Sequence, residues 1–351
     1  MSPLLECRDV SVRYSNVVAV SGLDLTVDRG ETVALLGPSG SGKSTIMYAI
    51  AGFVPVADGR ISIAGVNVSS PKRTRPPETR PVGLVFQNYA LWPHMTALEN
   101  VAYPFRRAGH SGEQSTHRAA ELLAKVGIGD LGDRKPGELS GGQQQRVGLA
   151  RALARSAEIY LFDEPTAHLD SPVRDAVEKE IRRRREELGS AAIYATHDSE
   201  EALAIADRVV ILRDGRPIQV GTPAEIYERP TDEWSARLTG PVSEISGRAA
   251  FEGQGRVQVL LGDSSFEVES ASPVTKRTVG VLVRPEWVTP GGPINGRVVS
   301  VAFRGPHTDY TIATPHGEVV ARVAGSPKLS EGEQSAWTIQ RGWVPPGSEA
   351  E

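Results

Sequence analysis

The stretch GPSGSGKST, residues 37–45, restricts what this chain can fold into more than any other. ETVALLG, ending on its first glycine, reads as a short buried strand, and KSTIMYAIAGF, sharing its last residues, reads as a helix. Gly37, Gly42, Lys43 and Ser44 meet the spacing G-x-x-x-x-G-K-[ST]; Pro38, Ser39, Gly40, Ser41 and Thr45 complete the loop. Gly37, Gly40 and Gly42 permit backbone shapes that turn several N–H groups toward one anion. The helix starting near Lys43 directs its positive end at the same spot. Lys43 is placed to reach the β- and γ-phosphates of a nucleotide, and Ser44 to hold Mg²⁺. The alternative is an accidental Gly/Ser turn, which explains neither the lysine nor the flanking strand and helix. The loop is read as a cradle for a nucleoside triphosphate.

Such a cradle needs an acid at a neighbouring strand end. EIYLFDEP provides two, because the apolar run Ile159–Phe162 is followed by Asp163 and Glu164. Asp163 is placed to orient the metal through its water shell. Glu164 is placed to polarise the attacking water. Further apolar strand candidates are VGLVFQ, AAIYATH and RVVILRDG, while HRAAELLAKVGI, RVGLARALAR and SEEALAIAD carry apolar residues at helical spacing. Strands alternating with helices predict a mostly parallel sheet covered by helices, running to about residue 236.

From about residue 240 the texture changes to short alternating strands broken by Gly and Pro, as in RVQVLLGDSSFEVE, GRVVSVAFRG and QSAWTIQ. This predicts an all-β barrel or sandwich over 240–351. The Pro- and Arg-rich stretch at 68–81 reads as an exposed loop. IRRRREEL, residues 181–188, reads as a solvated helix face with ion pairs Arg182–Glu186 and Arg183–Glu187, and PPGSEAE as a frayed tail.

Net charge is −4 and no basic arm is present, so no nucleic-acid partner is expected. The single cysteine, Cys7, excludes an internal disulfide and reads as a small packed residue. No apolar run approaches the roughly 20 residues of a membrane span, and the start lacks a signal-peptide layout.

LSGGQQQR, residues 139–146, resembles the signature sequence of ATP-binding cassette (ABC) ATPases, and it precedes the acidic strand in the order that family shows. Physically, Ser140, Gly141, Gly142 and Gln143 begin a second helix N-terminus with small residues, although Ser140 as an ordinary cap is the alternative. The resemblance implies an α/β P-loop ATPase of the ABC type, with a helical subdomain at about 88–155. It implies ATP and Mg²⁺ as cofactors. It also implies a head-to-tail dimer with a second copy, each ATP held between one cradle and the partner's signature.

By the same resemblance Tyr14 stacks on adenine, Gln87 contacts Mg²⁺ or water, His197 contacts the γ-phosphate, and Asp170 signals across the dimer. The metal set is then Ser44, Gln87 and Asp163. Relatives commonly have Ser-Ala-Leu-Asp where this chain has Ala167-His168-Leu169-Asp170. Gly148 inside the signature helix is a second oddity, because glycine there costs about 1 kcal/mol relative to alanine.

The chain carries one uninterrupted cassette. DRVVILRDGRPIQVGTPAEIYERP and its β-rich tail resemble the bacterial importer subfamily, whose C-terminal regulatory domain is OB-like; VLVRPEWV (281–288) resembles that domain's RPE strand. The implied partners are membrane permease subunits docking near 88–105, where Tyr89, Leu91, Trp92 and Met95 cluster, and indirectly an extracytoplasmic solute-binding protein. The implied location is peripheral, on the cytoplasmic side of the inner or plasma membrane. Cargo is open among ferric-iron, phosphonate, polyamine, sulfate and sugar classes, with ALWPHMT similar to the ferric-iron and phosphonate types. A soluble, non-transport ABC ATPase acting on a protein or RNA complex, and a module that no longer hydrolyses ATP, are the other readings.

Overall fold

A computed structural model describes residues 2–165, 179, 182–183, 189–253, 255–262, 264–274 and 277–346. Asp170, Ala167, His168, the carboxylates of the two ion pairs expected at 182–187, and residues 347–351 of the tail lie outside the described residues. The chain forms two compact units, Met1–Pro223 and Ala224–Glu351.

The first unit holds strands β1 (Leu5–Tyr14), β2 (Val17–Val27), β3 (Thr32–Leu36), β4 (Asp58–Ile63), β5 (Val66–Ser70), β6 (Arg73–Thr74), β7 (Val82–Val85), β8 (Ile159–Asp163), β9 (Ala191–Thr196), β10 (Arg208–Arg213) and β11 (Arg216–Gly221). Its helices are α1 (Lys43–Ala51), α2 (Ala97–Arg107), α3 (Gly112–Lys125), α4 (Gly141–Ala154) and α5 (Ser199–Ile205). The central sheet runs β11-β10-β3-β9-β8-β7, parallel except for β11. Strands β3, β8 and β9 are buried at every position, as continuous apolar strands of a parallel sheet must be.

A second sheet, β2-β1-β4-β5-β6, is antiparallel and lay beyond the alternating-strand expectation. Two-residue turns build its hairpins: Ala64 and Gly65 both adopt positive φ (49° and 75°), the geometry that matches the twist of paired strands.

Capping boxes start three helices: Thr96 with Glu99 at α2, Ser111 with Gln114 at α3 and Ser140 with Gln143 at α4. These helices share a core with Val85, Phe162 and Tyr194 of the central sheet. The first core lies between the two sheets and α1. Cys7 sits in it, and burial first, then the Asp24 and Glu6 carboxylates, push its thiol up to about 12.

The stretch 68–81 is not an exposed loop throughout. It contributes to β5 and forms β6, and its penultimate residue, Arg80, is only 1% exposed. Arg80 Nη1 donates to Ala49 O (3.0 Å) and Ile50 O (2.7 Å); Nη2 donates to Val68 O (3.0 Å), Ser69 Oγ (2.8 Å) and Arg75 O (2.9 Å). A cation at the C-terminus of α1 is favoured by the helix dipole. Burial nonetheless lowers its pKa to about 10.

The second unit contains two short helices, α6 (Pro223–Glu228, begun at the last residue of the first unit) and α7 (Glu233–Leu238), then β12 (Ser243–Gly253), β13 (Arg256–Leu261), β14 (Ser264–Ser270), β15 (Thr278–Val283), β16 (Val288–Phe303), β17 (His307–Thr314), β18 (Gly317–Ala324), β19 (Gln334–Ile339) and β20 (Trp343–Val344). Strands β12-β13-β14-β20-β15 close a barrel, and β18-β17-β16-β19 form an adjoining sheet that shares its core. The all-β expectation is met, but the unit begins ahead of the expected boundary at 236–240.

Arg284, in the RPE stretch, supplies the reason. It is 1% exposed; its Nη1 donates to Ala236 O (2.9 Å) and Gly240 O (3.1 Å), its Nη2 to Tyr227 O (2.8 Å) and Thr239 Oγ1 (2.8 Å). Trp343 Nε1 adds a bond to Pro230 O (2.8 Å). The helices before residue 240 therefore fold with the barrel.

Candidate active site

Parallel pairing brings the C-terminal ends of four strands to one sheet edge. Leu36 pairs with Thr196, Ala195 with Asp163, and Phe162 with Val85. The loop at 37–42, His197, Glu164 and Gln87 follow these ends, at the edge where open α/β sheets bind ligands.

The loop at 37–42 is built to leave space. A side chain at Gly37 would meet Leu212 O at 2.5 Å. Gly42 starts α1 at φ 100°, and a Cβ there would lie 2.8 Å from Ala19 O. Lys43 is buried, and its Nζ donates to Gly37 O (2.7 Å) and Pro38 O (3.0 Å). Burial lowers its pKa, opposed by the Glu164 and Asp163 carboxylates. Among the described residues the hydrogen bonds of this ammonium go to loop carbonyls, a neutral shell that an anion's oxygens could replace.

Ser44 Oγ donates to Asp163 Oδ1 at 2.9 Å. Asp163 is 1% exposed, and its Oδ2 has no hydrogen-bond partner among the described residues. Burial raises its pKa, opposed by the bond from Ser44 and then by the hydroxyl of Tyr48. A buried carboxylate oxygen without a donor, beside a serine hydroxyl, fits a divalent cation.

Glu164 adopts φ 50°, a left-handed shape that costs a non-glycine residue on the order of 1 kcal/mol. Its N–H donates to Ala195 O (2.9 Å). Its Oε1 lies 3.1 Å from His197 Nδ1, and its Oε2 accepts from Gln87 Nε2 at 3.3 Å. Lys43, Ser44, Asp163, Glu164, Gln87 and His197, named in the sequence, thus meet at one edge.

Tyr14 is half-exposed (47%) at the end of β1. Ser140–Gln143 form the start of α4. Ser140 Oγ accepts from Gln143 N (3.3 Å), and Gln143 Oε1 accepts from Ser140 N (2.9 Å), which is the cap of the alternative reading. No described hydrogen bond joins these four residues to the cradle.

Two features of α4 escaped the sequence. Arg151 donates to Ala90 O (2.7 Å) and Tyr89 O (3.0 Å), and its guanidinium stacks over Trp92 at 4.8 Å. Gly148 is explained by the same contact, because a Cβ there would meet Tyr89 O at 3.3 Å. Gln145 is the second feature, with Nε2 donating to Pro165 O at 2.6 Å. Nothing local in QQQR marks the third glutamine. Within 88–105, Trp92 is half-buried against Tyr103, which is itself exposed.

The central parallel sheet, with the strand, tight loop and helix at 32–51 and the two acids at the end of β8, defines a P-loop ATPase. An ABC transporter family model matches residues 20–167, and a TOBE domain model matches 281–340. The Fe(3+) ions import ATP-binding protein FbpC of Brucella suis is 38% identical over 89% of this chain and 88% of its own length. The spermidine/putrescine import ATP-binding protein PotA of Lawsonia intracellularis is 36% identical over 97% of this chain and 96% of its own. Among solved structures, the dimeric post-hydrolysis ATP-binding cassette MJ0796, bound to ADP and Pi, aligns with TM-score 0.58 and 33% identity, over 62% of this chain and 98% of that one. The chain belongs to the family of ABC import ATPases, an ATP-binding and ATP-hydrolysing cassette followed by a TOBE domain. No described helix is long and apolar enough to cross a membrane.

Proposed function

We propose that this chain is the motor of a bacterial importer whose cargo is ferric iron, with a polyamine as the second class. The cargo reading rests on the names of the relatives, and iron ranks first because the FbpC relatives are the more similar in sequence. The hydrolytic reading rests on one observation: Glu164 holds a carboxylate between Gln87 and His197 at the mouth of the cradle.

Lys43 leaves the carbonyls of Gly37 and Pro38 for the β- and γ-phosphates. The N–H groups of the loop 37–42 and the start of α1 surround the same oxygens, and Tyr14 carries the adenine. Ser44 and Asp163, with Gln87 at the rim, would hold Mg²⁺, which when bound offsets the phosphate charge. Glu164 accepts the proton of the attacking water, and His197 steadies its Oε1 and faces the γ-phosphate. Two copies close head to tail, so that Ser140–Gln143 of each cap the nucleotide of the other and Asp170 signals between them. Closure drives permease subunits seated near 88–105, and a solute-binding protein selects the cargo. The chain then works peripherally on the cytoplasmic face of the membrane.

A mild-detergent pull-down of the tagged protein from its native membranes, with mass spectrometry, tests this reading. A multi-span permease is the expected partner, and its associated binding protein tests the cargo. Recovery of soluble factors or ribosomes alone would overturn the transport reading and leave the cradle intact.

A further inference from the structure

We propose that Gln145 is a positioning residue for hydrolysis, tying the helix that begins with the signature to the turn that carries Glu164. The proposal rests on Glu164 being the base.

Gln145 lies inside α4 and is 1% exposed. Its Nε2 donates to Pro165 O at 2.6 Å and comes within 3.5 Å of Glu164 O. Its Oε1 is buried with no hydrogen-bond partner among the described residues. A buried carbonyl without a donor is destabilising, so a side chain serving only to fill this space would be apolar. The amide is useful here for its N–H.

The turn it holds needs holding. Glu164 stands at φ 50°, outside the shapes a glutamate prefers, so its direction is imposed by neighbours. Ala195 O fixes its N–H from the sheet side, and Gln145 fixes the following carbonyls from the helix side.

The same helix grips the other flank of the base. Arg151 binds Tyr89 O and Ala90 O, just beyond Gln87, and Gly148 lets Tyr89 approach. Tyr89 and Ala90 also have positive φ (60° and 46°), a second turn whose shape is imposed. One rigid helix therefore links the residues 140–143 to both partners in the Gln87–Glu164 contact. A displacement of α4 when its N-terminus meets the partner's nucleotide is carried to this subunit's own base. A misplacement of about 1 Å there changes turnover on the order of 100-fold.

Gln145→Leu, similar in volume and without a donor, tests the link in the full-length chain. Steady-state and long single-turnover ATPase rates are measured in the parent and in a Glu164→Ala background, with fluorescent-ATP titration and thermal melts as controls. Turnover is expected to fall roughly 10- to 100-fold with nucleotide affinity changed by no more than about twofold. In the Glu164→Ala background the same substitution should change nothing, because the group it positions is gone.

An equal fold-loss in both backgrounds, or undiminished turnover in a folded Gln145→Leu protein, overturns the proposal. Should that variant not fold, Gln145→Asn retains the amide one methylene short, and the same comparison applies. A Glu164→Ala protein that turns over at the parental rate removes the base reading itself, separately from any effect of Gln145.

Discussion

Replacing Arg80 with methionine should destabilise the cassette by about 3 kcal/mol. Methionine fills the space of the stem but donates nothing. Ala49 O also accepts from Gly52 N (3.2 Å), and Val68 O from Arg75 N (2.9 Å), so these carbonyls keep a partner. Ile50 O and Arg75 O lose the guanidinium that meets them. Each buried carbonyl so stranded costs about 1–3 kcal/mol, or roughly 2–6 kcal/mol for the pair. Part returns, because a buried cation with its pKa pushed down to about 10 is no longer desolvated.

Gly52 leaves the room for this group, since a Cβ there would lie 2.5 Å from Arg80 Nε. Arg80→Lys should lose most of the same stability, because an ammonium cannot span the carbonyls that the planar fork spans. Urea titration and thermal melting provide the assay, with the shift confined to the transition of the first unit. For a unit of this size the melting temperature should fall by about 6–12 °C. An Arg80→Met protein within about 0.5 kcal/mol of the parent would refute the reasoning, since that is the range of ordinary surface substitutions.

Gly42→Ala should lose most nucleotide affinity and about 2–4 kcal/mol of stability, from the left-handed backbone and the approach to Ala19 O; equilibrium titration with a fluorescent ATP analogue checks it, and near-parental affinity contradicts it. Glu164→Gln should accumulate ATP-bound dimers on size-exclusion chromatography while turnover collapses, and a rapidly hydrolysing variant would remove Glu164 as base. The buried Cys7 thiol keeps its proton in the folded chain up to about pH 12, whereas in the unfolded chain it ionises from about pH 9. Its contribution to stability is therefore present below pH 9 and lost as pH rises toward 12, at ~1.4 kcal/mol per pH unit. Urea melts of the parent and Cys7→Ala at pH 8 and pH 10 read this directly, and a stability difference that stays constant between them refutes it.

What could be read in advance was local. Gly37–Ser44 announced the strand, tight loop and helix start that the structure has there, because that spacing of glycines and lysine fits such a turn. Asp163 and Glu164 were legible for a similar reason, as acids at the end of a buried strand. Arg80 was not, because nothing in a proline-rich stretch tells an exposed arginine from one that closes a helix end about thirty residues away. Gly148 reads as a defect in its helix by sequence, and only the approach of Tyr89 from a distant turn accounts for it. Gln145 had no signal at all, since its partner carbonyl belongs to another strand's end. Residues whose roles depend on the chain's return from a distance leave no periodicity behind.

Arg284 has a consequence for where the polypeptide can be cut. A truncation after residue 240 would strip three backbone carbonyls and one hydroxyl of their shared donor, and would leave α6 and α7 without the surface that shapes them. A fragment beginning at residue 224 keeps the arginine and its acceptors in one piece. If the β-rich module is gained, lost or exchanged as a block, the seam runs ahead of these two helices, and the short stretch that resembles a linker in sequence is inherited with the barrel.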